Sequence, residues 1–234
     1  MKDHIGKIFA VVAVVAIVGS IAYANHVANE ANEGIVLTDH IKGNEAAAVK
    51  LTEYSDFQCP ACAQFYPVIQ DIMADYGDQI AFEYKHFPLI SIHPFAVPAA
   101  RAAEAAGQQG KFWEMHDKLF EEQQTWSNSG NPISFFNTYA EEIGLDVELF
   151  KRHYKASLIE ESVNDDFRQA RDLGLTGTPS FFLNDERMDF TSFPEFREQI
   201  EAAIGVDTAT ATGTPTVEVG GVEAAGEADV RFGL

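Results

Sequence analysis

Residues 53–62 read Glu53-Tyr54-Ser55-Asp56-Phe57-Gln58-Cys59-Pro60-Ala61-Cys62. Just before the cysteines, Ala48–Tyr54 (AVKLTEY) alternates apolar and polar residues, the period of a strand. Pro60 suits the first turn of a helix, where its missing N–H has no partner to lose. From there to Tyr76, Phe65, Val68, Ile69 and Ile72 recur at helical spacing, Pro67 is expected to kink the helix, and Gly77 stops it. Ile80–Phe87 (IAFEYKHF) alternates again as a second strand. The pattern is a β-α-β unit with Cys59 and Cys62 at the strand-to-helix junction.

That placement has a chemical meaning. Free N–H groups and the helix dipole favour a thiolate at Cys59. A thiolate is the attacking species in thiol–disulfide exchange and, when stabilised, a good leaving group. Cys62 lies one turn later on the same face and is the more buried of the two. Cys59 therefore reads as the exposed nucleophile and Cys62 as the resolver. These are the only cysteines of the chain, and a bridge across so small a ring staples almost nothing. The competing reading is half a zinc site. It needs four ligands, and only His86 and His93 are at hand, at a spacing that fits no usual finger. No metal is expected.

The chain has 234 residues, 46% of them hydrophobic and 18 of them Phe, enough for one large globular body. A formal net charge of -20 repels nucleic acid and anionic headgroups, so neither is expected as a partner. At the N-terminus, Lys2 and Lys7 precede the charge-free run Ile8–Ala24, which ends in the small-x-small pattern Ala22-Tyr23-Ala24. Residues 1–24 are expected to be a signal peptide, cleaved after Ala24, or an uncleaved membrane anchor at the short limit of a span. Either leaves the body exported, in the periplasm or on the outer face of the cytoplasmic membrane.

Residues 25–45 read as a polar linker with a short strand at Ile35–Leu37, and the folded domain as 46–205. Within it, a helical insertion is expected over about 94–173. It comprises Pro94–Ala106, Lys111–Gln123, a polar loop with Trp126 and Gly130, Ile133–Ile143, a helix capped by Asp146, and Ile159–Leu173. Phe181–Leu183 reads as a strand and Phe193–Ile204 as a last amphipathic helix. Residues 206–234, rich in Thr, Ala, Gly and Glu, read as an acidic low-complexity tail.

The run 53–62 resembles the active-site segment of DsbA-like thiol:disulfide oxidoreductases, in the thioredoxin superfamily. Thr176-Gly177-Thr178-Pro179-Ser180-Phe181-Phe182 is similar to that family's cis-proline loop. Phe87-Pro88-Leu89, followed by His93 and an Ala-rich helix, resembles its Gram-positive and membrane-anchored branch. The likeness covers about residues 46–204. It implies an α/β, thioredoxin-like fold with a helical insertion between the β-α-β unit and the cis-proline strand. It also implies a cis Pro179 facing the cysteines, with the Thr178 backbone offered to an extended substrate peptide.

Glu53 falls where thioredoxin-like proteins often hold a buried carboxylate that exchanges a proton with the inner thiol. The alternative is a solvent-facing strand residue. Lys85 is a candidate partner for Glu53 or a surface lysine. Phe57, Pro60, Ala61 and Thr178 are candidate substrate contacts. Phe57, Phe65, Tyr66 and 87–90 form a candidate apolar rim, with core packing as the alternative for each. His86, His93 and His116 are either site residues or packed histidines.

The resemblance implies oxidation of reduced or unfolded exported proteins, reoxidation by a membrane redox partner, no bound cofactor, and a monomer. A histidine between the cysteines would add positive charge beside Cys59. Here Pro60 and Ala61 are neutral, so a less oxidising disulfide is expected. Two other functions compete: an exported reductase or isomerase, and a binding module or chaperone without turnover.

Overall fold

The computed structural model describes residues 2–206; the acidic tail expected beyond them lies outside the described residues. Helix α1 (Lys2–Asn32) leads to strand β1 (His40–Gly43), β2 (Val49–Ser55), helix α2 (Pro60–Tyr76) and β3 (Ile80–His86). Six helices follow: α3 (Ala96–Gly107), α4 (Phe112–Glu121), α5 (Gln123–Ser127), α6 (Pro132–Glu142), α7 (Val147–Tyr154) and α8 (Ser157–Asp172). The chain then returns to the sheet as β4 (Ser180–Leu183) and β5 (Glu186–Arg187) and closes on α9 (Phe193–Ala203).

The sheet order is β1-β3-β2-β4-β5. β2 and β3 run parallel, as a strand pair joined through a helix must, and β4 lies antiparallel to β2. This is the α/β, thioredoxin-like architecture that the family resemblance implied, with the helices inserted between β3 and β4.

Register decides which side chains meet. Val49, Leu51, Glu53 and Ser55 of β2 stand beside Ile80, Phe82, Tyr84 and His86 of β3, on one face of the sheet. α2 and α9 pack Phe65, Ile69, Ile72, Phe196 and Ile200 against the apolar half of that face. The insertion packs Phe112, Met115, Leu119 and Phe120 against Phe57 and Tyr84. It is also fastened by polar contacts: Glu104 of α3 accepts from His40 Nε2 at 2.9 Å and His86 Nε2 at 3.0 Å. Burial opposes its charge, but the two histidines hold its carboxyl down at about 2.

Several local expectations change. Residues 35–39 have no regular structure; the edge strand is β1, antiparallel to β3. α1 continues through 25–32, and the Asn32 side chain accepts from Leu158 N (3.2 Å) at the start of α8. That capping contact reaches 126 positions along the chain, beyond any local pattern. The loop read around Trp126 is partly helix α5. Trp126 is fully buried there and donates Nε1–H to the Leu119 carbonyl at 2.7 Å. α2 runs through Pro67 as one helix. Asp146 does cap α7, accepting from Glu148 N and Leu149 N. Among the described residues no helix is long and apolar enough to cross a membrane.

Candidate active site

Cys59 is the N-cap residue of α2 and Pro60 opens its first turn. The approach loop is tightly turned: Cys59 N–H donates to the Asp56 carbonyl at 2.9 Å, and Gln58 N–H to Asp56 Oδ1 at 2.7 Å. Cys59 Sγ lies 3.4 Å from the carbonyl oxygen of Thr178, and the Thr178–Pro179 peptide is cis. Residues 119 positions apart thus meet across the end of the sheet. Pro60 is exposed, while Ala61, Thr178 and Pro179 are half-buried around the sulfur.

The two thiols are free; Cys59, expected to be exposed, is buried under the loops that flank it with 7% of its surface open, and the two differ sharply in acidity. A hydrogen bond from the Cys62 thiol lowers the Cys59 pKa to about 6, against burial. The Thr178 side chain and the amides of Cys62 and Ala61 act in the same direction. Cys62 is wholly buried, and burial together with the charges of Cys59 and Glu53 pushes its thiol up.

Glu53 lies inside the protein, not at the surface, 3% exposed. Burial raises its carboxyl to about 8, although Ser55 Oγ–H donates to its Oε1 at 2.6 Å. Lys85 does not pair with it. Side chains alternate along β3, so Tyr84 is the neighbour of Glu53 and Lys85 points to the opposite face. There Lys85 meets Asp39 at 2.7 Å and Asp166 at 3.4 Å.

Phe57 is 1% exposed, so it is core and no surface contact for substrate. Its ring stacks on Tyr84, with centroids 5.0 Å apart, and meets Phe120 and His116. Phe65 and Phe87 are buried as well, whereas Ile90 and Ile92 in the loop after β3 stand exposed. His86 is buried against Glu104, and His93 bonds Asp56. His116 is sealed among rings, with Nδ1 2.9 Å from Asp117. Among the described residues no group of three or more His, Cys, Asp and Glu side chains is placed to hold a metal ion.

Two residues that shape the loop had no signal in the sequence. Buried Gln123 of α5 donates Nε2–H to the carbonyls of Phe57 (2.8 Å) and Cys59 (2.9 Å). Asp56 accepts from Leu89 N and His93 Nδ1 through one oxygen while the other holds Gln58. Asp56 lies in the run 53–62 and Gln123 in no motif, but for neither does the sequence announce its partners; only the fold brings them together.

A dithiol of unequal acidity at a helix start, facing a Thr-Pro loop and backed by a buried carboxyl, is the arrangement of thiol–disulfide oxidoreductases. The comparisons with known proteins agree with that class. The chain belongs to the thioredoxin family, whose model matches residues 36–202. Among solved structures, a thioredoxin-like oxidoreductase from Silicibacter pomeroyi is 27% identical with a TM-score of 0.60, over 70% of this chain and 91% of that one. BdbD from Bacillus subtilis is 23% identical (TM-score 0.62; 74% and 94% covered). Wolbachia pipientis alpha-DsbA1 is 20% identical (TM-score 0.64; 73% and 93% covered). At that distance both show the fold, which is DsbA-like. A curated relative of Salinispora arenicola is 38% identical over 149 residues, 64% of this chain, and bears the name Na(+)/H(+) antiporter NhaA 1. This chain spans only 22% of that protein's length.

Proposed function

We propose that this protein is an exported oxidase of protein thiols, working through a Cys59–Cys62 disulfide. The observation that carries the reading is the split between the two thiols: Cys59 lowered to about 6, Cys62 raised, side by side at the start of α2. A substrate thiolate attacks Cys59 of the disulfide, a substrate–Cys59 bond forms, and Cys62 leaves with the electron pair. Glu53, carrying a proton at neutral pH, supplies it to the buried Cys62 sulfur. A second substrate thiolate then attacks the substrate sulfur of the mixed disulfide. Cys59 departs as a stabilised thiolate, and the oxidised substrate is released.

Two electrons now reside on the dithiol, and a membrane redox partner removes them. The Thr178 carbonyl, beside the sulfur, pairs with the backbone of an extended substrate segment, with Pro60, Ala61 and Pro179 as its walls. The apolar run Ile8–Ala24 supports export and a place beside a membrane. With neutral Ala61 between the cysteines, the disulfide is less oxidising than one with histidine there.

An isomerase or reductase is the second reading, because a structure of similar fold, 20% identical, is described as a protein-disulfide isomerase from Novosphingobium aromaticivorans. One comparison decides between them: oxidation of a reduced unfolded protein against rescue of a scrambled one, with Cys59→Ser as control. Fast oxidation lost in Cys59→Ser supports the oxidase. Strong rescue with poor oxidation sinks it, and activity unchanged in Cys59→Ser would show a binding module.

A further inference from the structure

Glu53 must regain a proton each time it gives one to Cys62, yet it is sealed from solvent. A cavity of about 10 Å³ adjoins it, walled by Lys42, Tyr66, Gln70, Phe82 and His116. That volume is at the threshold for one water molecule, which also needs at least two polar partners. They are present. Ser55 occupies Glu53 Oε1, and Asp117 occupies His116 Nδ1. The other carboxyl oxygen and the other ring nitrogen belong to residues that both line the cavity.

The geometry points to His116 as the proton outlet of the buried site: a single water in the cavity joins Glu53 to His116, and His116 passes protons between that water and Asp117 at the half-exposed rim. The helical insertion, which supplies His116, is then part of the proton path. This rests on the thiol–disulfide reading for its purpose, not for its geometry. In the oxidation step the proton moves inward from solvent through His116 and the water to Glu53, replacing the one given to Cys62. On reoxidation it moves outward by the same atoms.

The charged and titratable groups facing His116 are Asp117 beside it, Lys42 from β1, Glu53 from β2, Tyr84 and His86 from β3, and Tyr66 from α2. Burial favours the neutral imidazole, offset in part by Asp117. A neutral ring with one bonded and one free nitrogen can take a proton on one side and release it on the other.

The test follows the Glu53 carboxyl carbon of the full reduced protein by ¹³C NMR from pH 6 to 9. Two variants interrupt the path at different points. His116→Gln keeps a hydrogen-bonding group that cannot relay a proton, and Ile69→Met lengthens the side chain of Ile69, which also lines the cavity. The expected result in either is protonation exchange at Glu53 slowed about tenfold or more, with its titration midpoint unchanged. A packing role would shift the midpoint or stability and leave exchange fast. Exchange as fast as in the parent protein, in both variants, overturns the proposal. Failure of the oxidoreductase reading would instead appear as no disulfide exchange in the parent protein, whatever the carboxyl does.

Discussion

Asp56 Oδ2 and His93 Nδ1 lie 2.7 Å apart and join the loop before Cys59 to the loop that leaves β3. The same oxygen accepts from Leu89 N at 2.9 Å, and Asp56 is fully enclosed. Replacing Asp56 by Ala strands three donors at once. The expected loss is about 3 kcal/mol in urea unfolding, since unpaired buried groups cost roughly 1–3 kcal/mol each and some recover water. His93→Ala, at a partly open position, should cost about 1 kcal/mol or less by the same principle.

Gln123 holds two carbonyls of the active-site loop from α5. Gln123→Leu keeps the volume but leaves the Phe57 carbonyl buried without a donor and the Cys59 carbonyl with only the Ala63 N–H (3.2 Å). Destabilisation of about 2 kcal/mol is expected. Hydrogen exchange should show it concentrated at 57–59, and uniform loss of protection across the domain would argue against a local clamp.

The reduced protein should alkylate at Cys59 with a midpoint near pH 6, while Cys62 stays unmodified in the folded state. The sign for stability follows from a thiol lowered from 9.0 to about 6. This contribution is fully present above the unfolded value and fades as pH falls through 6. Reduced protein should therefore gain stability relative to Cys59→Ser as pH rises from 6 to 9. A midpoint near 9 would remove the basis for unequal roles.

Glu53 behaves oppositely, because its carboxyl is raised from 4.5 to about 8. The folded state holds a proton that the unfolded chain has lost, so stability declines as pH rises from 4.5 to 8 and then levels. Glu53→Gln removes this slope. The variant should be more stable than the parent at pH 8, by about 4 kcal/mol, with the gain vanishing near pH 4. Paired unfolding curves over pH 4–9 measure the difference directly, since other groups cancel.

The sequence by itself determined the β-α-β unit, the order of the later helices, and the unequal environment of Cys59 and Cys62. These rest on short-range rules: period two in strands, helical spacing of Phe65, Ile69 and Ile72, a proline after Cys59, and one helical turn between two sulfurs. It also brought Thr178-Pro179 into view through resemblance. Tertiary structure decided the rest. Phe57 became core because the insertion folds back over it, and Lys85 turned away from Glu53 because the strand register assigns that face to Tyr84. Asp56 and Gln123 acquired their partners across 33 to 66 positions of chain, where no local pattern carries the pairing. The place of Cys59 at a helix start was legible from the proline that follows it. The carboxyl behind it and the cavity beside that carboxyl exist only where sheet, α2 and insertion close on one another.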